Sequence, residues 1–324
     1  MYNIAVVGAT GNTGKEILRL IRLFKMPFDN VYALASDNSS VNSLSFGSHN
    51  IKVHNIDNFD FHNADIVFFA THESVSKKYL DRASKSCKLV IDLSSYLRKH
   101  DSVPLIIPEI NFHNIDSNVI ANPNCVVIPI LLVIDPLNKY ADLDKMVIST
   151  YQSVSGAGRL ATDNLHQQAK HRITSNDSIQ DTKNTYAFNI IPKIDSITSS
   201  GDSIEEIKII EETQKILKKY IEISVTCARV PVFVGHCISI HAIFKSNISK
   251  SDAEKVLSKI KGVTVSSDNQ SYYTSLDCAG RNEVFVSRIR QGQNNSLNLW
   301  ICSDNLIKGS SLNALQIAMR YLNI

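Results

Sequence analysis

The sequence predicts an α/β protein of two domains: a Rossmann-type, doubly wound parallel sheet comes first, followed by an α+β domain built around a mixed sheet. Three observations carry that prediction. Unbroken apolar runs alternate with helical patterns over the first hundred residues, as parallel strands covered on both faces require. The opening residues run strand, glycine turn, helix, which is the order in which a dinucleotide-binding unit begins. Beyond residue 122 the strands alternate in polarity and are interrupted by Pro and Gly, which suits a mixed or antiparallel sheet. At 324 residues both cores have chain enough to close.

Asn3-Ile-Ala-Val-Val reads as the first central strand and breaks into Gly8-Ala9-Thr10-Gly11-Asn12-Thr13-Gly14. A helix follows, with Ile17, Leu18, Ile21 and Leu23 on one broad face. Glycines at that point let backbone N–H groups of the helix start approach a pyrophosphate, here with GxxGxxG spacing. The next strand, Val31 to Ala35, ends at Ser36-Asp37-Asn38, where this fold meets the adenosine ribose. A carboxylate there favours a free 2′-hydroxyl and an Arg a 2′-phosphate. Ser36 serves either cofactor, Asp37 leans towards NAD and no Arg is present, so NAD and NADP both stay open. Two further strands, Ala64 to Ala70 and Lys88 to Asp92, flank a polar helix from about Ser74 to Ser84. Arg98 stands just past the second of these, where open α/β sheets bind ligands, and is a candidate anion clamp or a solvated surface residue.

Ala121-Asn122-Pro123-Asn124-Cys125 is a polar turn that delivers one cysteine between two apolar runs. Proline pushes the preceding residue away from helix, and Asn tolerates tight turns. A thiol at such a point, presented with its own backbone N–H, suits acyl-transfer chemistry, although a lone Cys is also a small buried hydrophobe. After a buried stretch to Leu137, the strand Lys145 to Tyr151 runs into Gln152-Ser153-Val154-Ser155-Gly156-Ala157-Gly158, where close glycines suggest backbone packed near a ligand or another segment. A helical tendency spans about 158 to 178, and Tyr186 to Pro192 is expected to be extended. Ser203 as N-cap with Glu206 three residues on makes a capping box, and Glu205 and Lys208 share one helix face. Two strands then run from Ile223 to Phe244, with Arg229 and His236 flanking the Pro/Gly interruption; His241 reads as structural. Helices are expected at Asp252 to Ile260 and Ser311 to Leu322, the last with Leu312, Leu315, Ile317, Ala318 and Met319 on its apolar face.

Composition narrows the function classes. With 34 Lys+Arg against 31 Asp+Glu the net charge is +3, which argues against a nucleic-acid or membrane surface as partner. No apolar run reaches the roughly 18 residues of a membrane helix, and the opening residues lack a basic signal segment, so a cytoplasmic protein is expected. Six dispersed cysteines without a CxxC pair argue against a zinc site and a disulfide framework, so no metal is expected.

In order along the chain stand Gly8 to Gly14, Val103-Pro-Leu-Ile-Ile-Pro-Glu-Ile-Asn111, Asn122-Pro-Asn-Cys125, Tyr151 to Gly158, Phe188-Asn-Ile-Ile-Pro192, Glu205-Glu-Ile-Lys208, Arg229 to His236, and Asp304-Asn-Leu-Ile-Lys-Gly309. On these the chain resembles the aspartate-semialdehyde dehydrogenase family over essentially its whole length. The resemblance implies reversible NADPH-dependent reduction of 4-phospho-L-aspartate to L-aspartate 4-semialdehyde and phosphate. It further implies a catalytic and dimerisation domain at 123–303, a nucleotide-binding domain at 1–122 joined by a final helix in 304–324, and a homodimer. Cys125 is then the nucleophile, His236 the general acid/base and Gln152 the residue that orients the intermediate. Arg229 takes the α-carboxylate, Glu205 the ammonium, and Arg98 and Lys208 the phosphate, helped by Asn124. Gly8, Thr10, Gly11, Asn12, Thr13, Gly14 and Ser36, with Ser155, Gly156 and Asn305, hold NADP or NAD. Three departures stand out: Asn38 replaces an Arg, Thr71-His72-Glu73 replaces a paired-glycine turn, and Val-Val-Ile-Pro follows Cys125. The alternatives are an N-acetyl-gamma-glutamyl-phosphate reductase, disfavoured by Asn124 and Glu205, and a non-catalytic NAD(P)-binding sensor.

Overall fold

The computed structural model describes residues 1–36, 39, 41–113, 115–175, 181–266 and 268–324. Two compact units emerge, one of residues 1–124 with 310–324 and one of residues 125–309.

In the first unit β1 (Asn3–Val7) leads through the glycine turn into α1 (Asn12–Leu23). Then come β2 (Asn30–Ala35), the hairpin of β3 (Ser43–Phe46) and β4 (His49–Asn55), β5 (Ile66–Phe69), α2 (Glu73–Ser86), β6 (Leu89–Asp92), α3 (Pro108–Asn111) and β7 (Val119–Ala121). The sheet order is β3-β4-β2-β1-β5-β6-β7, parallel except for the hairpin. Every residue of β5 and β6 is buried, which is why these strands read as unbroken apolar runs. On α1 the buried face is Ile17, Leu18, Leu20 and Ile21; Leu23, expected on that face, is exposed because two positions beyond Ile21 turn it to the opposite side of the helix. Asp37 and Asn38 lie outside the described residues.

The second unit opens with α4 (Val127–Ala141), which is buried without a break from Val127 to Asp135. There follow β8 (Leu143–Gln152), α5 (Arg159–Thr174), α6 (Ile204–Leu217), β9 (Glu222–Arg229), β10 (His236–Phe244), α7 (Lys250–Leu257), β11 (Val263–Val265), α8 (Ser275–Cys278), β12 (Val284–Gln291) and β13 (Ser296–Ser303). Their order is β11-β12-β13-β10-β8-β9, with β8/β9 and β11/β12 parallel and the other pairs antiparallel. The expected extended segment 186–192 is instead a turn in which Phe188 adopts φ 58, and only Ile191 pairs, with Arg229. Tyr186 and Ala187 give up extension because their N–H groups are taken by Gln168 of α5, at 2.8 and 3.3 Å.

The last helix, α9 (Leu312–Tyr321), belongs to the first unit and packs on α1, α3 and β6. Residues 304–309, expected with it, stay in the second unit. Asp304 anchors them by accepting from the N–H groups of Gly280, Leu306 and Ile307 at 2.8, 2.8 and 3.1 Å.

Candidate active site

One end of the second sheet collects the polar groups of interest. Gln152 closes β8 and is the register partner of Arg229, which closes the parallel β9. His236 opens the antiparallel β10 opposite Ser303, the last residue of β13. Strands of both directions therefore bring residues distant in sequence to the same rim.

Cys125 stands two residues before α4. It is the one partly exposed cysteine, the other five being buried. Burial pushes the thiols of Cys87 and Cys227 up to about 12, leaving them inert. The Cys125 sulfur lies 3.5 Å from Nε2 of His236, and the positive end of the α4 dipole is at hand. Both surroundings favour negative charge on the sulfur.

The other ring nitrogen of His236 decides which proton the imidazole carries. Nδ1 lies 3.0 Å from the backbone N of Ser153 and 3.0 Å from its Oγ. A backbone N–H can only donate, so Nδ1 accepts and the neutral ring carries its hydrogen on Nε2, facing Cys125. The ring is 1% exposed. Burial, and secondarily the Arg229 guanidinium, hold its pKa well below the usual value of 6.5, so it is uncharged at neutral pH. Ser153 Oγ donates to Asn305 Oδ1 at 3.0 Å, which also accepts from the N–H of Gly235 at 3.1 Å and from Ser155 Oγ at 3.2 Å. Asn305 Nδ2 reaches Ser155 Oγ at 2.9 Å. The amide of Asn305 and the hydroxyl of Ser155, expected to touch cofactor, are thus directed at the support of His236.

Around this pair lie the charged groups. Gln152 Nε2 donates to Glu205 Oε1 at 3.1 Å, and its Oε1 accepts from Thr150 at 3.0 Å. Glu205 occupies the first turn of α6, whose capping box of Ser203 and Glu206 is formed as expected. Glu206 also accepts from Cys227 N at 2.8 Å, tying the helix start to β9. Glu205 Oε2 is 3.8 Å from Lys208 Nζ, and Asp195 Oδ2 holds the same ammonium at 2.5 Å. Arg229 is buried and donates through Nη1 to the carbonyl of Ser153 at 2.7 Å. A Cβ on Gly156 would come tight to Arg229 Nη1, at 3.1 Å, and into ordinary contact with the His236 ring, at 3.4 Å, so this backbone packs directly against both groups.

In the first unit the turn after β1 fits a dinucleotide. Gly8 takes φ 77, and a Cβ on Gly14 would stand 2.2 Å from Gly8 O and 2.7 Å from Ala9 Cα, so the backbone closes on itself where a side chain would intrude. Gly11 is the N-cap of α1 and no side chain caps that end, leaving first-turn N–H groups for a phosphate. Thr10, Asn12 and Thr13 lie in the same turn and are half-buried, and Ser36 follows β2, exposed. Past β6, Asp92 orders the next loop by accepting from Ser76 Oγ and from the N–H and Oγ of Ser94, at 2.8, 3.0 and 3.0 Å. Arg98 folds back on that loop, donating to Leu93 O at 2.7 Å. Asn124, like Arg98, is buried.

Residue patterns missed Ser153, which supports His236, and Asp195, which competes for Lys208. Neither belongs to a periodic or capping pattern; the adjacency of Ser153 to Gln152 at a strand end was the one available signal.

Comparison with known proteins matches residues 3–118 to the NAD binding domain of semialdehyde dehydrogenases and residues 134–308 to their dimerisation domain. An aspartate-semialdehyde dehydrogenase of Rickettsia conorii is 41% identical over 99% of this chain and 98% of its own. The chain belongs to the aspartate-semialdehyde dehydrogenase family. A Bacillus subtilis relative of that name is 34% identical over 99% of this chain and 98% of its own. The crystal structure of aspartate semialdehyde dehydrogenase II from Vibrio cholerae superposes with a TM-score of 0.92 at 31% identity, covering 100% of this chain and 99% of that one. Membership makes the chain an oxidoreductase with an NAD(P)-binding Rossmann unit, of a family serving amino-acid biosynthesis. Among the described residues, no helix is long and apolar enough to cross a membrane, and no cluster of three or more His, Cys, Asp or Glu could hold a metal.

Proposed function

We propose that this chain reversibly reduces 4-phospho-L-aspartate to L-aspartate 4-semialdehyde and phosphate, using NADP, in the biosynthesis of aspartate-family amino acids and diaminopimelate. The observation that carries the reading is the Cys125 sulfur 3.5 Å from a histidine whose other nitrogen is already engaged. A related Vibrio cholerae enzyme has been crystallised in complex with ASA, which supports the choice of substrate.

In this reading the Cys125 thiolate attacks the acyl carbon and expels phosphate, leaving a thioester. A nicotinamide dinucleotide, when bound, supplies hydride. After reduction at that carbon, the hemithioacetal oxyanion collapses to the aldehyde and returns the thiolate. The Nε2–H of His236 donates first to the sulfur and then to the oxyanion. No proton need leave the ring, because collapse regenerates the thiolate and the departing phosphate takes its proton from solvent. His236 thereby becomes a fixed hydrogen-bond donor in place of the thiol's base. Gln152 orients the acyl group, Arg229 forks onto the α-carboxylate, Glu205 takes the ammonium, and Arg98, Lys208 and Asn124 receive the phosphate. Gly8, Thr10, Gly11, Asn12, Thr13, Gly14 and Ser36 hold the dinucleotide, with Ser155 and Gly156 at its reacting end. Asn305 acts through Ser153 and Ser155. The matched dimerisation domain supports self-association, with a cytoplasmic homodimer as the proposed form.

The deciding experiment is phosphate-dependent reduction of NADP, and separately of NAD, with aspartate semialdehyde. Native protein is expected to prefer NADP, and Cys125→Ser to lose at least about 10⁴-fold, as nucleophile removal does. Activity on N-acetylglutamate semialdehyde instead would overturn the substrate, and turnover without phosphate would overturn the acyl-phosphate chemistry. If neither aldehyde reacts and Cys125 alkylates no faster than the five buried thiols, the chain is a sensor.

A further inference from the structure

On β10 and β13 a second pair of sulfurs lies outside the site just described. Cys237 and Cys302 are register partners on adjacent antiparallel strands, both reduced, with their sulfurs 3.4 Å apart. They pack with Cys278 and Phe285, against Tyr273 and Trp300. Cys302 is fully buried, whereas Cys237 lines a cavity of about 650 Å³ together with Arg288, Arg290, Tyr272 and Trp300. The two thiols therefore differ in access: one faces a cavity wide enough for a small oxidant and the other waits behind it.

We infer that Cys237 and Cys302 form a peroxide-sensitive dithiol that closes reversibly to a cross-strand disulfide. Facing residues of antiparallel strands have Cα atoms about 4.5 or 5.5 Å apart, and both spacings fall in the range that disulfides span. From 3.4 Å the sulfurs must approach by roughly 1.4 Å to bond, a change that χ1 rotations supply. The Cys302 thiol has two acceptors for its one hydrogen, the Cys237 sulfur and the carbonyl of Tyr273 at 3.3 Å. Where it donates to Cys237, it lowers that thiol's pKa and raises its own.

The chemistry closes with a hydroperoxide as the named oxidant. The Cys237 sulfur attacks one oxygen of hydrogen peroxide, the O–O bond breaks, and the released hydroxide takes the Cys237 proton as water, leaving Cys237 as a sulfenic acid. Cys302 sulfur then attacks the Cys237 sulfur, the S–O bond breaks, and a second water leaves with the Cys302 hydrogen. Two thiols and one peroxide thus give one disulfide and two waters. Cys237 directly follows His236, and Cys302 is followed by Ser303, the register partner of His236, and then by Asp304 and Asn305. Closure binds the strands one residue away from the imidazole and two from the head of its supporting segment.

The test uses full-length Cys125→Ala protein, which removes the catalytic thiol and leaves five of the six cysteines. After hydrogen peroxide and denaturation, the expected result is three titratable thiols, a Cys237–Cys302 linked peptide in a non-reducing digest, and recovery of all five after dithiothreitol. In a Cys302→Ser background the expected product is a dimedone adduct at Cys237 and no disulfide. Five thiols surviving peroxide would overturn the proposal, as would loss mapped to Cys87, Cys227 or Cys278. A Cys237 disulfide joining two copies of the chain would overturn it as well.

Discussion

In the proposed function the two sheets recognise their ligands by opposite means. At the mouth of the first, the proposed phosphate donors are the uncapped first-turn N–H groups of α1, since Gly8, Ala9 and Gly11 already donate theirs to the carbonyls of Leu34 and Gly8, and no side chain fits at Gly8 or Gly14. At the rim of the second, the proposed working groups are side chains drawn from β8, β9, β10 and α6, with Cys125 and His236 separated by 111 positions. A backbone site is written contiguously and broken by adding atoms. A side-chain site is written in fragments and broken by removing them.

Substitutions can press on that contrast. The largest effect is expected at His236: His236→Ala should lower kcat by about 10³-fold, the range for losing a fixed oxyanion donor. His236→Gln, whose amide N–H can stand where Nε2–H stood, should recover at least tenfold of that in a steady-state assay. Equal rates for Ala and Gln would mean that the ring works as a base. Next, Arg229→Leu is expected to raise KM for the aspartyl substrate by about 10²-fold, with kcat less affected, as loss of a charge-assisted fork implies. Normal kinetics in that variant would remove Arg229 from substrate binding. Gly14→Ala tests the other sheet: a Cβ 2.2 Å from Gly8 O forces the turn open. A stability loss of about 2 kcal/mol in urea and a raised Kd for the dinucleotide are expected, with alkylation of Cys125 unchanged. If alkylation changes equally, the two sites are not separable in this way.

The smallest effect is on pH. His236 in the folded chain binds a proton less readily than an ordinary histidine near 6.5, so the unfolded chain binds more protons between its depressed value and 6.5. Its contribution to stability is complete above 6.5 and is lost as pH falls below it. Urea midpoints measured from pH 7.5 down to 5 are expected to decline less in His236→Gln than in the native chain.

Contiguity also governed what could be read without coordinates. The Gly8–Gly14 turn, the buried strands β5 and β6, and the Ser203/Glu206 capping box all depend on neighbours within a few residues, and these were legible. The hairpin of β3 and β4 was not, because Ser43–Phe46 offers only two apolar residues, Leu44 and Phe46, and the seven residues of His49–Asn55 are mostly polar. Cys125 and His236 could be joined only through family resemblance, since they stand 111 positions apart. Ser153 and Asp195 were illegible, and Asn305 was read only as a cofactor contact, for the same reason: each acts on a partner that only the folded sheet supplies.

Asp195 holds the ammonium of Lys208 from a backbone position at φ 64, a conformation that side chains rarely adopt. An anion recruited by this lysine, as the proposed function has it, would share or displace carboxylates already in residence, so its affinity would report a rearrangement of that cluster as much as a fresh encounter.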